Sequence, residues 1–131
     1  MCNIAGYIGK KQAVPILIEM MKRQEGFFGG YYTGMTVHDG TKLQSAKVVG
    51  TTQTLMDETE VLSFQGTSGM MHSRSKSGGK VEWAHPFTSN DGSLSYIANG
   101  WRGKMLPKSR MKCVKQQLRN FGIVAINLHL R

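Results

Sequence analysis

The spacing of apolar residues changes from segment to segment over residues 1–100, and each change marks an element. Ile4-Ala5-Gly6-Tyr7-Ile8-Gly9 is an apolar run with β-branched members that stops at glycine, which predicts a short buried strand. From residue 10 to 24 the spacing becomes three and four. Val14, Leu17, Ile18 and Met21, with Ala13, Ile16 and Met20 widening the stripe, predict a core-facing helix. Pro15 belongs in the first turn of that helix, where its missing N–H costs little. Gly26-Phe27-Phe28-Gly29-Gly30 then breaks it into a loop.

Residues 31–38 alternate, with Tyr31, Thr33, Met35 and Val37 on one face and Tyr32, Gly34, Thr36 and His38 on the other. Asp39-Gly40 is a hairpin signal, and residues 43–49 return as the partner strand. Thr51 or Thr52 caps a second predicted helix reaching about Leu62, with Asp57 and Glu58 read as favouring its N-terminus. Gly66 and Gly69 bound a loop, and Met70-Met71-His72 reads as a short buried strand. After an aromatic loop, Trp83-Ala84-His85-Pro86-Phe87, comes the turn Ser89-Asn90-Asp91-Gly92. A strand over residues 94–98 then leads to Asn99-Gly100. Strands and helices in this order predict an α+β fold.

Composition changes this picture at one place. The 131 residues carry a net charge of +9. Residues 1–100 hold nine Lys/Arg against eight Asp/Glu, a balance of +1, and residues 101–131 hold eight Lys/Arg and no acid, a balance of +8. The basic excess is therefore a property of the tail, and Gly100 is the boundary. In that tail Met111, Val114 and Leu118 have the stripe of a basic helix, while Val124, Ile126, Leu128 and Leu130 alternate as a strand does. Two cysteines, Cys2 and Cys113, make no disulfide framework. The histidines, His38, His72, His85 and His129, lack zinc-site spacing, so neither metal nor cofactor is expected. Without a membrane-length apolar run or a signal-type start, the chain reads as cytoplasmic, with no membrane partner.

Three stretches carry candidate chemistry. Removal of Met1 makes Cys2 the N-terminus, with a thiol and a free α-amine on one residue. The two groups titrate within about one pH unit of each other in model peptides, so the amine can take the thiol proton directly or through one water. His72-Ser73-Arg74-Ser75-Lys76-Ser77-Gly78-Gly79 sets an arginine fork among hydroxyls and backbone N–H groups, a cradle for a carboxylate; a phosphate-binding or solvated loop has the same composition. Asn99-Gly100 at a strand end is either an ordinary turn or an amide and a glycine N–H aimed at one spot, the geometry of an oxyanion hole.

Methionine-cysteine at the start, the loop around residues 29–34, His72 to Gly79, Ala84-His85-Pro86 and Asn99-Gly100 occur in an order that resembles the glutaminase domain of class II glutamine amidotransferases, which are N-terminal-nucleophile hydrolases. The resemblance covers residues 1–100. It implies a four-layered αββα sandwich and L-glutamine as substrate, with ammonia passed to an acceptor such as a sugar phosphate on a separate synthase domain or subunit. By resemblance Cys2 matches the nucleophile that forms a glutamyl thioester, and Asn99 and Gly100 match the oxyanion pair. Arg74 matches the arginine of the H-T-R-W-A-T-H-G motif that holds the glutamine α-carboxylate, with Ser77 in place of that motif's second threonine.

Departures accompany the match. Asn3 stands where the family usually has glycine, Ser75 replaces tryptophan, Gly78 replaces histidine, and Ala98 replaces the histidine before asparagine-glycine. Phe27 or Phe28 stands for a loop arginine. No acidic residue follows Asp91 to bind the glutamine α-amine as the family's aspartate does. The expected organisation is a partial glutaminase domain over residues 1–100, incomplete at its C-terminus, followed by a basic tail over residues 101–131. The alternative is a non-catalytic remnant of the domain or a small basic polyanion-binding module. Nucleic acid is not the expected partner, because the tail offers one tryptophan and one phenylalanine for base stacking.

Overall fold

In the computed structural model, which describes residues 2–76, 80–99 and 124–127, the first apolar run becomes strand β1 (Asn3–Ile8) and the next segment becomes helix α1 (Ala13–Glu25). The helix buries Ala13, Val14, Leu17, Ile18 and Met21. Met20, expected to widen that stripe, sits on the solvent flank and is 37% exposed. Strands β2 (Tyr32–His38) and β3 (Leu43–Val49) form the hairpin. Its turn is closed by Asp39 Oδ1, which accepts from the backbone N–H groups of Thr41 at 2.8 Å and Lys42 at 2.9 Å.

Helix α2 (Thr52–Glu58) starts where the sequence predicts, in a capping box between Thr51 and Thr54. It stops earlier than predicted. Thr59 turns extended and caps a separate 3-10 turn, Glu60–Ser63, so Asp57 and Glu58 lie at the C-terminal end of α2 rather than near its start. Strand β4 (Ser68–Arg74) is longer at both ends than the predicted segment. Strand β5 (Phe87–Thr88) begins at the last residue of the stretch read as an aromatic loop, and β6 (Leu94–Ile97) follows the predicted turn. Strand β7 (Val124–Asn127) comes from the tail.

The first sheet has the order β1-β4-β2-β3 and the second the order β5-β6-β7, with every pairing antiparallel. One face of the first sheet packs on both helices. Ala5, Leu17, Met21, Met35, Val37, Leu55, Val61 and Met71 meet there in one apolar core. The other face meets the second sheet, which is why β2 is buried along six consecutive residues instead of alternating. That inter-sheet seam is polar. Thr36 Oγ1 lies 3.0 Å from Ser95 Oγ across it, and Lys47 Nζ donates to the Ala84 carbonyl at 3.1 Å.

Gly34 is what lets the layers approach. A Cβ there would run into the His85 carbonyl oxygen and come within 2.8 Å of Pro86 Cδ. The architecture is thus α+β, a helix layer on two face-to-face antiparallel sheets, and among the described residues no α-helix covers the outer face of the second sheet. No helix among them is long and apolar enough to cross a membrane.

Candidate active site

Cys2 is half-buried and immediately precedes β1, and its thiol is free. The β1–β4 register pairs Asn3 with Ser73, so continuing it by one step sets Cys2 beside Arg74. Tyr32 is the partner of Arg74 on the next strand, and the guanidinium carbon lies 5.4 Å from the centre of its ring. Asn99, directly after β6, donates its side-chain amide to the Cys2 backbone carbonyl at 2.9 Å. The bond goes to the carbonyl and not to the sulfur. A carboxamide has two N–H groups, so the same nitrogen is able to donate a second hydrogen to a charge developing nearby. Three of the sequence candidates therefore come from three elements to one end of the first sheet. Met1, Ser77 and Gly100 lie outside the described residues, as does the predicted basic helix of the tail.

Below Arg74 on the same face of β4 is a feature the sequence reading missed. His72 is fully buried and its ring centre is 4.4 Å from that of His85, which belongs to the loop covering Gly34. His85 in turn meets the rings of Phe87 and Tyr96 at 4.7 and 6.2 Å. Burial lowers His72 from 6.5 to about 4; the Ala98 backbone opposes this and the Arg74 charge adds to it. No described atom completes hydrogen-bond geometry with either of its ring nitrogens. Burial, then His72, Arg74 and Lys47, lower His85 to about 3. Lys47 is lowered as well by burial, against the pull of Glu82. Both histidines are therefore neutral at physiological pH, and among the described residues the cations acting on them are Arg74 and Lys47. The only sequence signal for the pair was parity: His72 follows Met70 on the inward face of a strand.

No three His, Cys, Asp or Glu side chains among the described residues gather as a metal site. A shallow groove lined by Pro15, Ile16, Glu19, Met20 and Arg23 runs along the solvent side of α1, away from Cys2, and contributes nothing to this constellation.

Solved structures share the fold. The glutamine phosphoribosylpyrophosphate amidotransferase of B. subtilis superposes with a TM-score of 0.69 over 98% of this chain and 35% of that one, at 16% identity, a likeness of fold. A second, an allosteric regulatory enzyme of purine biosynthesis, gives a TM-score of 0.63 over 92% of this chain and 25% of that one, at 25% identity. The fold class is that of the N-terminal-nucleophile amidotransferases. By sequence the chain is a homologue of the class II glutamine amidotransferases represented by glutamine–fructose-6-phosphate aminotransferase. It is 34% identical over 110 residues to the Caldanaerobacter subterraneus enzyme and 36% over 104 residues to that of Gloeobacter violaceus, matches covering 82% and 76% of this chain. The chain spans only 18% and 17% of the length of those two relatives. No protein-family model matches it.

Proposed function

We propose that this chain is a glutaminase-type amidotransferase domain in which Cys2, freed of Met1, hydrolyses the side-chain amide of L-glutamine. The Cys2 α-amine takes the thiol proton and the sulfur attacks the amide carbon. Asn99 and Gly100 stabilise the resulting oxyanion, and collapse of the adduct expels ammonia, which leaves with the proton held by the amine. Water then attacks the glutamyl thioester, releasing glutamate and restoring the thiol. Arg74 grips the α-carboxylate, with Ser77 supplying a hydroxyl. The ammonia goes to an acceptor such as a sugar phosphate on a separate synthase domain or subunit. In this reading residues 1–100 form a partial glutaminase domain, and residues 101–131 form a basic tail that lends β7 to the second sheet.

The observation that carries the reading is the 2.9 Å bond from the Asn99 amide to Cys2, in a chain whose relatives are named for using glutamine. The test is ammonia release from glutamine by chain whose mass shows Met1 removed, with Cys2→Ala as the control. Equal silence of the two proteins overturns it. The +8 balance of residues 101–131 favours the second reading, a non-catalytic protein that is either a remnant of the domain or a small basic polyanion-binding module. Its affinity for DNA would fall steeply with salt, and weak binding indifferent to salt dismisses it.

A further inference from the structure

We infer that Asn3 and Ser73 are positioning residues, holding from behind the two strand ends that carry Cys2 and Arg74; the inference rests on the glutamine reading and deepens it. Side chains alternate along a strand, so Cys2 and Arg74 share one face, and Asn3 and Ser73, paired with each other in the ladder, share the opposite one. On that opposite face lies the loop of residues 26–30. Asn3 Nδ2 donates to the Phe28 carbonyl at 2.6 Å, and the Gly30 N–H donates to Ser73 Oγ at 2.7 Å. Gly29, at φ +81°, is seated between them. A Cβ there would stand 2.7 Å from Ser73 Oγ and 2.9 Å from Asn3 Nδ2.

The clamp is rooted further back. The Ser73 hydroxyl lies 3.0 Å from Thr33 Oγ1 and 3.3 Å from Glu25 Oε1. That carboxylate oxygen, on the last residue of α1, also accepts the N–H and hydroxyl of Thr52, the first residue of α2, at 2.8 and 2.7 Å. Ser73 is fully buried, Asn3 nearly so, and Thr33, the hydroxyl partner of Ser73, is fully buried as well, so removing the Ser73 hydroxyl takes a partner from a group held away from water. Both helices and the loop thereby fix the register of two neighbouring strand ends. A glutamine held by its carboxylate at Arg74 presents its amide carbon to Cys2 only if that register holds, and a displacement of about 1 Å costs on the order of 100-fold in rate.

The experiment compares two alkylating agents on Cys2, read from the mass of the N-terminal peptide so that Cys113 is not counted. A glutamine-shaped chloroketone needs its carboxylate gripped, whereas iodoacetamide does not. Wild type should prefer the chloroketone. Asn3→Ala and Ser73→Ala should each cut that preference roughly tenfold or more while iodoacetamide labelling stays unchanged, and Ser73→Thr should keep the preference. Hydrogen exchange at the Gly30 amide should quicken in Ser73→Ala. A preference that survives both alanine variants, a parallel slowing of both reagents, or unchanged Gly30 exchange overturns the inference. A wild type that shows no preference at all sinks the glutamine reading instead.

Discussion

Asn99 commits one amide hydrogen to the Cys2 carbonyl, so replacing it removes both a structural tie and a proposed oxyanion donor. Asn99→Ala should lower kcat on glutamine about 100- to 1000-fold, the ~2.7–4 kcal/mol typical of one such donor, measured by ammonia release. His72 and His85 set a different dependence. Their folded values, about 4 and about 3, lie below the ordinary 6.5, so between those limits the unfolded chain binds more protons than the folded one. The stability they contribute is therefore complete above pH 6.5 and is lost as the pH falls toward 4 and below. The unfolding free energy from denaturant titration should drop by roughly a few kcal/mol from pH 7 to pH 4, and a flat profile would contradict the burial argument. Asp39 and Asp91, held below the usual carboxylate range by hydrogen bonds within their turns, lose their contribution only in stronger acid. Cys2, Arg74 and Asn99 stood out in the sequence through the order of the motifs that carry them, and the fold brings the three to one end of the first sheet. The histidine pair did not stand out: residues 72 and 85 meet only because two sheets pack, and no local spacing encodes that contact.

Among the elements, β1, α1 and the β2–β3 hairpin were legible because their periodicity and their glycine and proline signals agree. The end of α2 was not. Leu62 continues an apolar pattern, yet Thr59 bonds back to the Leu55 carbonyl at 2.6 Å and its own backbone goes extended, a local hydrogen bond overriding the stripe. Strand β5 escaped because two residues are too few to show alternation. The seam between the layers depends most on Gly34, whose substitution by alanine should cost about 1–3 kcal/mol through overpacking against the covering loop. Removing the α2 cap with Thr51→Ala should cost about 1 kcal/mol. Urea unfolding of the two variants distinguishes them by size, and a Gly34→Ala protein as stable as wild type would deny the close approach.

At the scale of the molecule, the third strand of the second sheet among the described residues is β7, which pairs with β6 from Leu94↔Asn127 to Ile97↔Val124. A chain ending at residue 100 keeps only β5 and β6, a two-stranded ribbon that is marginal without support. It should melt at lower temperature than the full chain, and an unchanged Tm would mean β7 adds nothing. Ancestry and layering come from the relatives and from the packing of the sheets, but chemistry at Cys2 is a claim about one bond. Processed chain mixed with glutamine, quenched in acid within the first turnover and digested, should yield an N-terminal peptide carrying a glutamyl group on the Cys2 sulfur, which disappears as glutamate accumulates. Ammonia appearing with no such adduct, or neither adduct nor ammonia from chain that has lost Met1, would contradict the account.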